Sequence, residues 1–258
     1  MKVTLLQTDI RWLQPQSNID AADRLIAGNA GSDLYVLPEM WSTGFVTDPR
    51  GVALPEAGNE ALRWMQQTAL QHRCAISGSL AVVDADGRYR NRHYLADGRA
   101  GKLYYYDKHH LFTFGHEDRY YTPGTSHQVV SYGGMTLLLL TCYDLRFPVW
   151  CRNTRQQRFD AIVLVANWPQ ARQAAWQLLP RARAIENQCY VVAVNRVGDD
   201  QFGHYIGCSA VIDPIGRTIA QGHRDRHEAI TVTLEKAELE RRRARFDVLS
   251  DSDSFTLF

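Results

Sequence analysis

The stretch MTLLLLTCYD, residues 135–144, places a run of apolar residues directly before a polar segment that begins at Cys142. A run of this length and composition is typical of a buried β-strand. Similar strand-length runs recur along the chain, beginning at Val3, Leu34, Cys74, Asn91, Leu103, Ala161, Tyr190, Cys208 and Ala229. Helix-period segments separate several of them, at residues 18–30, 59–72 and 171–187. The alternation predicts an α/β fold.

The local signals refine this pattern. Ser17 is a candidate N-cap for the first helix, and the third helix is predicted to bury Leu178 and Ile185 on its apolar face. The pairs Asp86-Gly87 and Asp97-Gly98 predict two β-hairpins, so the sheet is expected to be mixed. No repeat or long linker divides the chain, and we expect a single domain over residues 1–258.

Composition excludes several functional classes. The 258 residues are 45% hydrophobic, with 29 basic and 28 acidic side chains and a formal net charge of +1. A chain of this size can build a sufficient core without a disulfide or a metal, and its charge balance predicts no nucleic-acid or membrane partner. The five cysteines form no CxxC pair, and no run reaches the roughly 18–20 apolar residues of a membrane helix. We therefore expect a cytoplasmic protein.

Three reactive side chains follow predicted strands. Glu39 closes LYVLPE, Lys108 closes LYYYDK and Cys142 closes TLLLLTC. Strand ends gather at one edge of an α/β sheet, where a rigid scaffold holds functional groups. Each residue also has an ordinary interpretation, Cys142 as a small core residue and the other two as solvated charges. Their combination favours chemistry over packing.

A thiol needs activation because the thiolate is the nucleophile and only a few per cent is ionised at pH 7. Glu39 is the candidate base, since a carboxylate in an apolar pocket becomes a better proton acceptor. Lys108 is a fixed positive charge that can favour the thiolate and bind the oxyanion of a tetrahedral intermediate.

Five segments resemble the nitrilase superfamily of carbon–nitrogen hydrolases, in that family's order and spacing. They are LPEMWSTGF (37–45), YYDKHHLFTFGHEDRYYTPG (105–124), LLTCYDLRFPVWCRN (139–153), ANWP (166–169) and RARAIENQCYVVAVNRVG (181–198). The resemblance implies a four-layer α-β-β-α sandwich with two mixed sheets, and a catalytic triad of Glu39, Lys108 and Cys142. It also implies a second acid, which Glu117 provides, although Asp118 is adjacent.

CYDLRFP followed by ANWP most resembles the omega-amidase branch, which hydrolyses 2-oxoglutaramate and 2-oxosuccinamate to the 2-oxo acid and ammonia. The implied mechanism passes through a thioester on Cys142 with water as the second substrate, and the backbone N–H of Tyr143 assists Lys108 at the oxyanion. No metal or organic cofactor has a role in this scheme.

Such a substrate carries a carboxylate far from its amide, and a guanidinium binds that group through two hydrogen bonds. Arg146 and Arg172 are the candidates. Arg146 could instead pair with Asp144, and Arg172 could be solvated. The aromatic residues predicted to wall the pocket are Trp168, Phe45 and Phe114.

Other interpretations stay open. Within enzymes, the alternatives are an N-carbamoyl amino acid hydrolase, a nitrilase, or a zinc hydrolase that uses His109, His110 or His116. Adjacent strand residues point to opposite faces, which argues against joint chelation by His109 and His110. A small-molecule binding protein on the same scaffold is the non-enzyme alternative. The apolar tail SFTLF, residues 254–258, predicts packing on a partner subunit, and the resemblance implies a homodimer.

Overall fold

The computed structural model describes residues 1–154 and 157–253. Its fifteen described strands are β1 (Lys2–Gln7), β2 (Leu34–Val36), β3 (Leu54–Pro55), β4 (Ala75–Val83), β5 (Tyr89–Asp97), β6 (Lys102–Asp107), β7 (Val129–Tyr132), β8 (Met135–Thr141), β9 (Ala161–Ala166), β10 (Tyr190–Asn195), β11 (Val197–Asp200), β12 (Gly203–Ile206), β13 (Ala210–Ile212), β14 (Thr218–Gln221) and β15 (Glu228–Thr233). The described helices are α1 (Pro15–Gly28), α2 (Glu60–His72), α3 (Gln173–Asn187) and α4 (Lys236–Arg245).

Two mixed sheets carry most of these strands. The first has the order β15-β1-β2-β4-β5-β6, with β3 beside β4, and the second has the order β14-β13-β10-β9-β8-β7. Strands β1, β2 and β4 are parallel, and β5 is antiparallel to both of its neighbours. Strands β8, β9 and β10 are parallel in the second sheet. The predicted hairpins, β4–β5 and β5–β6, are confirmed.

The sheets pack face to face through apolar side chains. One buried cluster joins Leu5 and Val36 of the first sheet to Leu137, Leu139 and Val163 of the second. A second cluster covers the opposite face of the first sheet with α1 and α2, while α3 packs on β10 and β13. The layers therefore run helix, sheet, sheet, helix, which confirms the predicted α-β-β-α sandwich.

Two helix predictions were wrong. Helix α1 begins at Pro15 after Gln14, so Ser17 lies inside it rather than capping it. Helix α3 buries Trp176, Pro180 and Ala184, whereas Leu178 and Ile185 are 65% and 53% exposed. Trp176 packs into the core cluster of the second sheet, Leu179 is partly buried against the same cluster, and Leu178 and Ile185 turn outward. No helix in the described part of the chain is long and apolar enough to cross a membrane.

Candidate active site

Cys142 lies at a tight bend at the carboxyl end of β8. The chain turns there into a short 3₁₀ helix, Cys142–Arg146, and the backbone of Cys142 has φ +44°. This left-handed conformation is costly for a residue with a side chain and persists only where its surroundings enforce it. The carboxylate of Asp144 is one such restraint, since its Oδ2 accepts the backbone N–H of Thr141 at 3.1 Å. The bend presents the thiol to a cavity beside the sandwich.

A buried ammonium lies between two carboxylates. Lys108 Nζ donates to Glu39 Oε1 at 2.9 Å and to Glu117 Oε2 at 2.8 Å, and all three side chains are fully buried. Lys108 follows β6 directly, Glu39 follows β2 by three residues, and Glu117 lies in a 3₁₀ turn, Glu117–Arg119. The structure thus brings together the predicted base, cation and second acid, and Glu39, Lys108 and Cys142 line one cavity.

The main chain around Lys108 is held on both sides. Its N–H donates to the carbonyl oxygen of Asn91, and its carbonyl accepts the N–H of Gly124 at 3.0 Å. A Cβ on Gly124 would collide with the carbonyl oxygen of Asp107, so only glycine permits this approach. The ammonium is therefore delivered by a restrained backbone.

The second oxygen of Glu39 bonds to Asn167, whose carbonyl oxygen lies near the nucleophile. Glu39 Oε2 accepts the backbone N–H of Asn167 at 2.9 Å, and the Asn167 side chain donates to the carbonyl of Glu39 at 2.6 Å. The thiol of Cys142 lies 3.9 Å from the carbonyl oxygen of Asn167. Asn167 joins the two sheets at this point. It stands in the ANWP segment, but its contact with Glu39 was not foreseen.

The charges determine the resting state of the nucleophile. Burial raises the pKa of the Cys142 thiol well above its usual range, and the charge of Glu39 adds to the rise against the opposing effect of Lys108. Burial alone would lower the pKa of Lys108, but Glu117 and Glu39 raise it above its usual value. The raised pKa favours the protonated thiol, while Lys108 acts in the predicted direction by favouring the thiolate. A base must remove the proton during the reaction.

All six residues predicted to bind substrate line this cavity: Phe45, Phe114, Tyr143, Arg146, Trp168 and Arg172. The Arg172 guanidinium lies 5.0 Å from the ring centre of Phe112 and 5.3 Å from that of Phe114, and Arg146 lies 4.9 Å from Trp168. Among residues 1–154 and 157–253, no carboxylate lies within ion-pair distance of Arg146 or Arg172. Three further aromatic residues line the wall and were not predicted: Phe112, Phe202 and Tyr205.

The alternative partner of Arg146 was wrong. Asp144 accepts from Tyr106 Oη at 2.8 Å and from the backbone N–H of His110 at 2.9 Å, and its Oδ1 lies 2.9 Å from His110 Nδ1. His109 Nδ1 lies 2.6 Å from the carbonyl oxygen of Gly124. The described residues contain no group of three or more His, Cys, Asp or Glu side chains arranged to hold a metal ion.

The two-sheet sandwich and its thiol-bearing cavity define the class of cysteine-dependent hydrolases. Residues 2–244 match the carbon-nitrogen hydrolase family model. The chain is 41% identical to the omega-amidase YafV of Yersinia enterocolitica, covering 100% of this chain and 98% of that protein. It is 36% identical to the 2-oxoglutaramate amidase of Bacillus subtilis, with 86% of each chain covered.

A CN-hydrolase superfamily protein of Xanthomonas campestris, solved with an arsenic adduct in its active site, superposes with a TM-score of 0.95. The two chains are 40% identical, over 100% of this chain and 99% of that one. The chain therefore belongs to the carbon-nitrogen hydrolase family. The predicted family, fold and reaction class are confirmed.

Proposed function

We propose that this enzyme is an omega-amidase, which releases ammonia from the terminal amide of a 2-oxo dicarboxylic acid such as 2-oxoglutaramate. The observation that carries the proposal is the pair of guanidinium groups, Arg146 and Arg172, in the same cavity as Cys142 and without a carboxylate partner among the described residues. A substrate carboxylate supplies that partner. The omega-amidase and 2-oxoglutaramate amidase relatives support the same substrate class.

The catalytic steps follow from the site. Glu39 accepts the proton of Cys142, and the thiolate attacks the amide carbon. Lys108 and the backbone N–H of Tyr143 stabilise the oxyanion. Glu39 returns the proton to the leaving nitrogen, so ammonia departs and a thioester remains. Glu39 then takes a proton from water, whose hydroxyl attacks the thioester and releases the acid. Glu39 returns that proton to the departing Cys142 sulfur, which restores the thiol. Glu117 holds Lys108 in place throughout.

The cavity also explains a preference for 2-oxo acids over 2-amino acids. Among the described residues that line it, Glu39 is the only acid, and Glu39 is already bonded to Lys108. The ammonium of glutamine would lose water there without gaining a counterion, whereas a neutral 2-oxo group carries no such penalty. The walls of Phe45, Phe114 and Trp168 fit the short carbon chain.

An ammonia-release assay tests this with three substrates, two cavity variants and one control variant. Arg172→Ala and Arg146→Ala should lower kcat/KM for 2-oxoglutaramate by roughly 10- to 100-fold, the range for a hydrogen bond to a charged group. Both should leave hydrolysis of butyramide, which lacks the carboxylate, within about threefold. Arg63→Ala, on the exposed face of α2, is the matched control. A wild-type preference for glutamine over 2-oxoglutaramate would reject the assignment.

The same assay separates the enzymatic alternatives. Carbon dioxide release with ammonia would identify a carbamoyl hydrolase, and a nitrile converted as fast as its amide would identify a nitrilase. Complete loss of turnover in the presence of a strong chelator would point to a zinc hydrolase. Binding of the amide without turnover would indicate a binding protein.

We also propose that residues 1–258 form one domain, that the enzyme is cytoplasmic and that it is a homodimer. All five cysteines are free, as in a reducing compartment. The exposed apolar face of α3, with Leu178 and Ile185, lies beside the half-exposed Ile215 and supports self-association. The tail at residues 254–258 lies outside the described residues. Light scattering of Leu178→Asp, compared with wild type, tests the dimer.

A further inference from the structure

Asn91 is a buried amide between the two carboxylates of the charged cluster. It lies near the amino end of β5 and is 1% exposed. Its Nδ2 donates to Glu39 Oε1 at 2.8 Å and to Glu117 Oε1 at 3.0 Å. Its own carbonyl accepts the backbone N–H of Lys108 at 2.9 Å. One residue thus contacts every charged member of the cluster.

We propose that Asn91 is a positioning residue that occupies Oε1 of Glu39, together with Lys108, and so leaves Oε2 as the oxygen that takes the thiol proton. This rests on the proposed roles of Glu39 and Cys142. Oε1 accepts from Asn91 and Lys108, while Oε2 accepts a single backbone N–H, that of Asn167. A carboxylate oxygen has two lone-pair directions, so Oε2 keeps one free and Oε1 does not.

Ser79 determines which way the Asn91 amide points. Ser79 Oγ donates to Asn91 Oδ1 at 2.9 Å and accepts the backbone N–H of Met40 at 2.9 Å. Since Met40 supplies a donor, the hydroxyl proton of Ser79 is directed at Asn91. A flipped amide would set its oxygen against two carboxylates and its NH₂ against a hydroxyl that is donating. The hydrogen bonds from Met40 to Ser79 and from Ser79 to Asn91 therefore fix the orientation of the Asn91 amide. Through that amide they also orient the Glu39 side chain.

A neutral donor suits this place better than a charged one. The cluster contains one ammonium and two carboxylates, so Glu39 and Glu117 share a single counterion. A second cation would hold Glu39 ionised and weaken it as a proton acceptor. Asn91 supplies two hydrogen bonds and adds no charge. It therefore orients the base without bringing a second cation into the cluster.

Kinetics of three variants test the proposal. Asn91→Ala should lower kcat about 100-fold, the effect of a misplaced catalytic group, and leave KM within about threefold because Asn91 does not line the cavity. Asn91→Asp should move the acid limb of the kcat/KM profile to higher pH, since repulsion by a third carboxylate favours protonation within the cluster. Ser79→Ala should lower kcat about 5- to 10-fold through loss of one orienting hydrogen bond.

The control is Ser77→Ala. Ser77 is fully buried on the same strand, two residues from Ser79, and bonds to His93 and the carbonyl of Tyr94 instead of the cluster. Its kcat should stay within about twofold of wild type. Thermal unfolding of each variant identifies any that fails to fold, and Ser79→Ala then carries the test if Asn91→Ala is unfolded.

Alkylation of Cys142 by iodoacetamide gives a readout that needs no amide turnover. Its rate should fall in Asn91→Ala and Ser79→Ala in parallel with kcat, because the same proton must leave the thiol. If the Asn91 and Ser79 variants fold and keep the wild-type kcat, pH profile and alkylation rate, the positioning role of Asn91 is wrong. The proposed mechanism would be unaffected by that result. Turnover that survives in Cys142→Ala would instead overturn the proposed mechanism on which it rests.

Discussion

Replacement of Glu117 by glutamine tests the charged cluster without changing its shape. Glu117 Oε2 accepts from Lys108 Nζ at 2.8 Å and from the backbone N–H of Phe112 at 2.6 Å, and Oε1 accepts from Asn91 at 3.0 Å. All three partners are donors, so the ionised carboxylate is the form that this geometry fits. Glutamine offers one oxygen and one NH₂, and either orientation sets a donor against a donor.

The expected magnitudes follow from those contacts. A buried donor left unsatisfied costs about 1–3 kcal/mol. For a chain of this size, each kcal/mol shifts Tm by about 2–4 °C, so Tm should fall by roughly 2–12 °C. Lys108 also loses one of its two counterions and is drawn toward Glu39, away from the oxyanion. We expect kcat to fall about 100-fold, as for loss of one oxyanion donor, with KM nearly unchanged because Glu117 does not line the cavity.

Steady-state ammonia release from 2-oxoglutaramate and a thermal melt measure both effects. Asp118→Asn is the matched control, since Asp118 is the adjacent acid in the sequence and is exposed. It should retain wild-type kcat and Tm. A Glu117→Gln enzyme with full kcat, or one whose KM alone rises, would refute the role assigned to Glu117. A large loss in Asp118→Asn would move that role to the neighbouring residue.

Three further predictions concern the nucleophile, a buried histidine and a glycine. Cys142→Ala should abolish turnover and leave the circular dichroism spectrum unchanged. Burial lowers the pKa of His93 to about 3, against the smaller opposing effect of the Leu140 carbonyl. The folded state then binds fewer protons than the unfolded state between pH 6.5 and 3, so stability falls with acidification, by about 2–3 kcal/mol from pH 6.5 to 4.5. Denaturant unfolding of His93→Gln should lack that loss, whereas exposed His72→Gln should keep it. Gly124→Ala should lower Tm and kcat together, while Gly58→Ala, which meets open space, should change neither.

The site could be predicted in part because of how the strands run. Strand β5 is antiparallel to β4 and to β6, so β6 runs in the same direction as β2. The residues that follow β2 and β6 therefore lie at one end of the first sheet, as the strand-end reasoning expected for Glu39 and Lys108. Cys142, however, follows β8 in the second sheet. The periodicity of apolar residues carries no information on how two sheets face each other. Only the family resemblance implied that a second sheet packs on the first.

Asn91 escaped prediction for a related reason. It lies near the amino end of an antiparallel strand, whereas the prediction considered only residues that follow the carboxyl ends of strands. A polar residue at the start of a strand is also common and gives no signal of its own. The orientation of α3 was also predicted wrongly. The spacing of apolar residues assigned Leu178 and Ile185 to the buried face and gave no weight to Trp176 and Pro180. The buried face carries Trp176, Pro180 and Ala184 instead. The shape of the second sheet, against which this face packs, is not contained in the sequence pattern.

Stability does not account for the charged cluster, whereas the proposed mechanism does. Glu39, Lys108 and Glu117 are fully buried, and two carboxyl groups share one ammonium. Desolvation costs several kcal/mol per ion, and well-packed apolar residues in place of a buried ion pair are often as stable or more so. The apolar cluster that joins the two sheets already supplies a continuous core. A protonated thiol nevertheless needs a carboxylate that shares its counterion with another group. A carboxylate fully paired with its own cation would be a weaker acceptor of the thiol proton. In the proposed mechanism, the excess of carboxyl groups weakens the fold locally and leaves Glu39 available as the base.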